Sequence, residues 1–577
     1  MYVTYETNQY YIDEESFTIQ RHSGPPKLIS FTTPKPEGED CMPAKLVRVS
    51  DMQVVDGASI NEGYCALSYS WSWCGENNIV NNVTGKSLRV DKGKHKIIFP
   101  DKVKEVKFEG VIQQLCKDFN IKYIWFDQMC IDQNNKKEKY REMKRMHVIY
   151  SHAHCTIALV PELQTEIWTQ GGETHRGMGS VNLMHSDWMR RIWTLEEGLM
   201  SSNLLFVGQD TYMWWHTAVQ WTALGDLVSK PSLWNVSTVL YYAHTRRTTK
   251  EHDRVFAIAN LFPELMDQIT VGYDQPILDF LIKFYGILAR HDLSILYFGR
   301  DEDYKRIVER SSFNTSPSAD NQQQEQQQQN GSLIPIRNYD LPSWTGVEGE
   351  HDLNHFSGGL WKTSFKNYSV DGRSMKIHCS SYIPSMNHVN KNNSFISLQH
   401  EDLPPLPSAL LDSDGNDTTK SDRIVFTLAI EVQLPGCDEP KKIPLLAFDF
   451  IKTNGKLVQR HNEDTMRIIS RKELNWLSLF MPISKDHLFW YKDNAQVSDY
   501  TRMEFSITEN ADPSAQYAIL TEVAFEHSLG NIKHKAYPVV RTNGDYYKSI
   551  GVCTITRPEY FFAGYEKEVP EKTFVIQ

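Results

Sequence analysis

The chain has 577 residues, with 61 Lys plus Arg against 72 Asp plus Glu, a formal net charge of −11. Hydrophobic residues make up 40%, aromatics 12% and charged residues 23%, which excludes both a single small module and global disorder and predicts several folded domains. The mild excess of acid gives a nucleic-acid role no electrostatic support, so no nucleic acid is expected among the partners. The stretch Met1 to Glu15 is polar and acidic where a secretory leader needs a basic start and an apolar core, and no run approaches the ~18 apolar residues of a membrane helix. A soluble cytoplasmic protein without membrane association is the expectation. The nine cysteines (Cys41, Cys65, Cys74, Cys116, Cys130, Cys155, Cys379, Cys437 and Cys553) are scattered with no C-x-x-C pair, which predicts reduced thiols.

Residues 1–60 carry Pro25, Pro26, Pro34 and Pro36 in a polar setting with one short alternating strand at Ala44 to Val49, and are read as an N-terminal arm. From Tyr64 the texture changes. Cys65-Ala66-Leu67-Ser68-Tyr69-Ser70-Trp71 suits a buried strand, and Val111, Ile112, Leu115, Cys116 and Phe119 fall at helical spacing before the apolar run Tyr123 to Phe126. A second cycle sets Tyr140, Met143, Met146, Tyr150 and Ala153 on one helical stripe ahead of Thr156 to Val160, and a third sets a helix at Trp188 to Met200 ahead of Leu204 to Val207. Strands alternating with helices predict a parallel sheet with helices on its faces over residues 61–210. Looser helical periodicity at Trp215 to Leu227 and Pro276 to Arg290 defines a helical extension over 211–310. Gln322 to Gln329, interrupted by Glu325 alone, places a linker at 311–335. The alternation of Phe426, Leu428, Ile430, Val432 and Leu434 with polar or small residues marks a half-buried strand, and residues 336–577 read as β-rich.

Three local patterns tempt with chemistry and do not sustain it. Asn82-Val83-Thr84-Gly85-Lys86-Ser87 ends like a phosphate-binding loop, but its first glycine would fall at Val80. His152, His154 and Cys155 lack a second ligand group at fixed spacing, so they read as residues at a helix end and no metal site is assigned. Gly171-Gly172 and Gly177-x-Gly179 lie in a polar stretch and read as loop.

Taken together, three longer segments are more specific: Tyr64 to Trp71, Tyr123-Ile124-Trp125-Phe126-Asp127-Gln128-Met129-Cys130-Ile131-Asp132-Gln133, and Arg191-Ile192-Trp193-Thr194-Leu195-Glu196-Glu197. With Met146-x-x-Ile149-Tyr150-x-x-Ala153 between the last two, their order and spacing resemble the fungal heterokaryon-incompatibility (HET) domain family over about Tyr64 to Gly208. Asp253-Arg254-Val255-Phe256-Ala257 and Leu341-Pro342-Ser343-Trp344 resemble segments that often follow this domain. The chain departs from the family in placing Ser72-Trp73-Cys74 before Gly75, where Gly usually follows the Trp directly, and in carrying Glu196 where Gln is usual.

HET domains look like distant relatives of Toll/interleukin receptor (TIR) domains, which implies a TIR-like, flavodoxin-like doubly wound α/β fold. Some TIR domains cleave NAD at the nicotinamide bond with one glutamate, where a carboxylate stabilises the positive charge that builds on the ribose. The resemblance makes Glu197 the candidate catalytic acid, with Glu196 a competing carboxylate, and makes Trp193 a surface on which a planar ring could stack. NAD is then the candidate substrate, and no cofactor is required. Independently of the family, Asp127 follows the strand Tyr123 to Phe126, and Ser68, Tyr69 and Trp71 end another strand, at the carboxyl ends where open α/β sheets bind ligands. The competing structural reading has Asp127 capping a turn, Trp125 and Trp193 in the core, and Glu197 paired with Arg190 or Arg191.

The resemblance thus implies an intracellular effector of non-self recognition and programmed cell death that hydrolyses NAD, restrained by its β-rich part or an unknown regulatory protein. The alternative is a non-enzymatic TIR-like signalling module that self-associates through the HET domain; a metal hydrolase is a third, weaker idea.

Overall fold

The computed structural model describes residues 41–69, 119–160, 186–207, 234–299, 335–351, 361–384, 503–529, 532–556 and 571–577, and positions 35–36, 112–113, 116 and 183. It also defines the backbone of the hairpins Tyr10–Ile12 with Ile19–Arg21, Ile79–Val80 with Ser87–Leu88, Lys96–Ile98 with Val103–Glu105 and Thr165–Gln170 with Glu173–Met178, and of the elements Tyr212–Trp214, Arg423–Val432, Lys441–Thr453, Lys456–Gln459, Arg471–Phe480 and Leu488–Asp493. Trp71, the expected helix at Trp215 to Leu227 and the glutamine-rich tract lie outside these residues. The chain divides into two compact units, one of Met1–Trp234, Tyr242–Phe284 and Pro317–Asn338, the other of Asn235–Tyr241, Tyr285–Ser316 and Tyr339–Gln577.

The first unit is built on a seven-stranded sheet of β1 (Lys45–Arg48), β2 (Gln53–Asp56), β3 (Cys65–Ser68), β4 (Tyr123–Trp125), β5 (Thr156–Leu159), β6 (Leu204–Val207) and β7 (Tyr212–Trp214), in the order β7-β6-β5-β3-β4-β1-β2. The four central strands are parallel: β3 pairs with β4 and β5, and β5 with β6. Every residue of β3, β5 and β6 is buried, as expected of strands covered on both faces. Each Leu, Ile, Val or Phe removed from water there contributes ~1.5–3 kcal/mol. Residues 45–56, part of the expected N-terminal arm, form the antiparallel pair β1/β2 that extends the sheet beyond β4.

Strand order dictates where a ligand can sit. The chain steps from β3 to β4 on one side, then crosses back to β5 and β6 on the other, so the order reverses at the carboxyl end of β3. Between β4 and β5 lie α1 (Asp127–Cys130), α2 (Lys136–Lys144) and α3 (Met146–His152); between β5 and β6 lie α4 (Asp187–Arg190) and α5 (Trp193–Met200). Both crossovers move the same way across the sheet, and right-handedness sends their helices to one face, where α3 and α5 touch. Ile112 and Cys116, helical and between β3 and β4, belong to the buried cluster around the sheet.

Two helices expected as continuous are broken. Arg145, at φ −104° and ψ 5°, separates α2 from α3. The helix expected over Trp188 to Met200 is interrupted at Arg191, which is extended at φ −90° and ψ 141° and forms a parallel bridge with Arg247. There Arg247 N–H donates to Arg190 O at 2.5 Å and Ile192 N–H donates to Arg247 O at 3.0 Å, so a distant segment supplies the hydrogen bonds that an unbroken helix would make internally. Beyond the sheet come α6 (Val236–His244), α7 (Glu251–Asn260) and α8 (Ile277–His291), the last on the periodicity expected at Pro276 to Arg290.

The second unit holds a nine-stranded sheet of β8 (Tyr368–Asp371), β9 (Ser374–Cys379), β10 (Ser381–Tyr382), β11 (Met503–Ile507), β12 (Tyr517–Leu520), β13 (Phe525–Leu529), β14 (Ile532–Asn543), β15 (Tyr546–Thr556) and β16 (Lys572–Ile576). Its main path runs β8-β9-β16-β15-β14-β12-β10, with β11 on β15 and β13 on β14. A bulge at Val539/Val540 opposite Gly551 lets β11 approach; a Cβ on Gly551, at φ 137°, would fall 2.2 Å from Ser506 O. Helix α9 (Arg471–Phe480) packs on β11, its Trp476 edge-on to Tyr517 at 5.0 Å and its Phe480 stacked on Phe505 at 5.0 Å. A separate four-stranded antiparallel sheet includes Arg423–Val432, where the alternation at Phe426 to Val432 predicts a strand. No helix among the described residues is long and apolar enough to cross a membrane.

Candidate functional site

Ser68 closes β3 at the point where the strand order reverses, and its side chain is fully buried. Its hydroxyl donates to Glu197 Oε2 on α5, 129 residues away in sequence. From α4 the Trp188 indole N–H donates to the same Ser68 oxygen at 2.6 Å. Trp188 is itself buried, edge-on to Phe206 of β6 at 5.0 Å. One residue past Ser68, the Tyr69 hydroxyl donates to Asp127 Oδ1 at 2.8 Å, joining the carboxyl ends of β3 and β4. Asp127 opens α1 and is half-buried. From α3, the buried Tyr150 hydroxyl donates to Leu67 O at 3.4 Å and lies near enough to Glu197 for the two to perturb each other. Side chains from β3, α1, α3, α4 and α5 therefore gather around the Ser68–Glu197 pair.

The electrostatics follow from burial. Glu197 is 7% exposed. Loss of water pushes its carboxyl up to about 8, with the Asp127 charge adding to the rise while the Ser68 hydrogen bond, Arg191 and Arg246 oppose it. Glu196, fully buried on the same helix, is raised well above the carboxylate range by burial first and by Glu197 second. Asn260 of α7 lies beside Glu196, yet its Nδ2 donates to Met143 O at 3.0 Å and its Oδ1 faces His147 Nδ1 at 2.7 Å. Among the described residues, neither Glu196 oxygen has a hydrogen-bond partner. Burial likewise brings Arg246 down to about 9.

A frame from α6 and α7 holds the helix that carries these carboxyls. Arg246 Nη1 donates to Arg191 O and to Thr194 Oγ1, both at 2.9 Å, across the break before α5. Its guanidinium carbon lies 6.0 Å from the Trp188 ring centre, within cation–π range. Arg254 is held by Glu251 at 2.7 Å and in turn donates to the carbonyls of Ala243 and Arg246, which fixes the Arg246 backbone. Asp253 accepts from Tyr273 OH at 2.5 Å and has the Trp193 indole beside it.

The structure brings Ser68, Tyr69, Asp127 and Glu197 of the expected site together. Trp193 begins α5, half-buried, with its indole turned to Asp253. Trp71 lies outside the described residues. Glu197 makes no ion pair with Arg190 or Arg191 within 4.0 Å among the described residues, although Arg191 is close enough to act on its charge. Trp188 was visible in the sequence only as a helix residue, Tyr150 only as part of the helical segment within the family resemblance, and Arg246 carried no local signal at all. His152 ends α3 with Nδ1 2.9 Å from Val148 O, and no group of three or more His, Cys, Asp or Glu converges as a metal set among the described residues.

Residues 64–176 match the family model described as Heterokaryon incompatibility protein (HET). The match takes in β3, β4, β5, Ser68, Tyr69, Asp127 and Tyr150, and ends before Trp188 and Glu197. No curated protein and no solved structure matches the chain.

Proposed function

We propose that this HET-domain chain is an effector of heterokaryon incompatibility, the cell-death response to non-self, and that it acts by hydrolysing NAD in the crevice where β3 and β4 end. The observation that carries the reading is the buried Glu197 carboxyl tied to Ser68 at the switch point of the sheet. The doubly wound order of the parallel strands supports the TIR-like comparison at the level of topology.

In this reading NAD brings its cationic pyridinium ring and ribose against Glu197, and the arriving positive charge favours the carboxylate over the neutral acid. Cleavage breaks the bond between C1′ and the ring nitrogen. The electron pair leaves with neutral nicotinamide, positive charge develops on the ribose, and Glu197 stabilises it; water then adds at C1′ and gives up a proton. Asp127, half-exposed and anchored by Tyr69, is placed to accept a ribose hydroxyl.

Incubating the full chain with NAD and following nicotinamide release tests this. Glu197→Gln is expected to lower the rate by ~10²–10³-fold, with the circular dichroism spectrum unchanged. For the parent chain, kcat/KM should rise with pH through about 8, because only the ionised carboxyl stabilises the transition state. Absence of nicotinamide from folded protein at every pH, or equal rates in the variant, would remove the enzymatic reading.

A further inference from the structure

We propose that Trp188 is a positioning residue for Glu197: by donating its indole N–H to Ser68 Oγ, it turns the single Ser68 proton onto the Glu197 carboxylate. A serine hydroxyl has one proton and two lone pairs, and an indole is a donor only. Once Trp188 occupies a lone pair at 2.6 Å, the Ser68 proton is the group left to face Glu197 Oε2, and the chain of bonds has one direction, from Trp188 through Ser68 to Glu197. Donation into Oγ also polarises the hydroxyl and makes it a stronger donor.

All three side chains are held. Ser68 and Trp188 are buried, the Trp188 ring is wedged edge-on against Phe206, and the break at Arg191 sets α4 off from α5 so that both can address one oxygen. The other titratable or charged groups facing Glu197 are Asp127 from α1, Tyr150 from α3, Arg191 from the break, Arg246 from the segment after α6, and Glu196 on α5 itself. Among these, Arg191 and Arg246 favour the ionised carboxyl, and Asp127 opposes it. The relay from Trp188 adds to the first group without adding charge.

The inference rests on Glu197 being the working group, and its test is read on stability so that it is decided even if no NAD is cleaved. A carboxyl with a raised folded-state pKa makes the folded chain lose stability, relative to its Glu197→Gln counterpart, from about pH 4.5 up to the folded pKa, after which the difference levels off. The urea midpoint of the full chain is measured from pH 5 to 10, with and without Glu197→Gln. The levelling point should lie near 8 in the parent, move up by about 0.5–1 pH unit in Trp188→Phe, and move at least as far in Ser68→Ala. Adding Trp188→Phe to Ser68→Ala should move it no further. An unchanged levelling point in folded Trp188→Phe, or the same additional shift on the Ser68→Ala background, would overturn the relay. Should Trp188→Phe fail to fold, Ser68→Ala alone decides: no upward shift would overturn it.

Discussion

The two units use their buried interiors in opposite ways. In the second, the described interior around α9 is apolar and aromatic, with Trp476 and Phe480 against Phe505 and Tyr517, and the polar groups there are neutral: Tyr382 OH donates to Phe480 O at 3.0 Å, and Tyr517 OH accepts from Asp512 N at 3.0 Å. Its ion pairs, such as Arg541 with Glu509 and Lys535 with Glu526, lie toward the surface. In the first unit, around α5, two carboxyls and one guanidinium are buried without a counter-charge within ion-pair distance among the described residues. Buried groups of this kind cost stability rather than adding to it, so a helix that carries them is shaped by something other than folding.

Truncation should separate the two regimes most sharply. Trp476→Ala, which empties the space between Phe505 and Tyr517, is expected to destabilise the second unit by about 3–5 kcal/mol in urea denaturation. Trp476→Phe should cost less than about 1.5 kcal/mol, because the Trp476 indole N–H has no partner among the described residues.

In the first unit the sign reverses. Glu196→Gln should raise the denaturation midpoint, by ~1–2 kcal/mol near neutral pH. The folded-state pKa of Glu196 is raised, so the folded chain holds a proton that the unfolded chain releases above about 4.5, and stability falls as pH rises beyond that point. The gain from Glu196→Gln should therefore grow from pH 5 to pH 8. A destabilised Gln variant at pH 8 would mean that the carboxyl has a partner in solution. At the small end, Arg48→Ala should leave the midpoint unchanged, since the Arg48 to Asp51 pair at 2.7 Å is solvent-exposed. A measurable loss there would place electrostatic stability at the surface as well.

Much of the first unit's frame was legible because strands buried on both faces must be short and continuously apolar, as Cys65–Ser68, Thr156–Leu159 and Leu204–Val207 are. Stripes at helical spacing located α2, α3 and α5. The breaks at Arg145 and Arg191 were not legible, and for Arg191 the reason is physical: its extended backbone is satisfied by Arg247, and no window of a dozen residues contains both partners. The same distance hid Arg246 and the indole on Ser68. Ser68, Tyr69, Asp127 and Glu197 could be found because they stand next to recognisable strands or in a recognisable motif. What joins them is the register of β3 against β4 and β5, which no local pattern encodes.

The bridge between Arg191 and Arg247 bears on how such genes can be shuffled. A crossover that exchanged residues 64–176 alone would transplant Ser68, Tyr69 and Asp127 into a chain whose Trp188, Glu197 and Arg246 had diversified with other partners. Arg190, Ile192 and Arg247 would meet the new strand ends with a helix break fitted to the old ones. Hybrids joined after about Asn260 keep the carboxyl, its serine and the clamp of Arg246 and Arg254 together. The piece that must be inherited together is therefore longer than residues 64–176, and variation between such chains should be correlated across the interval from Ser68 to Arg254.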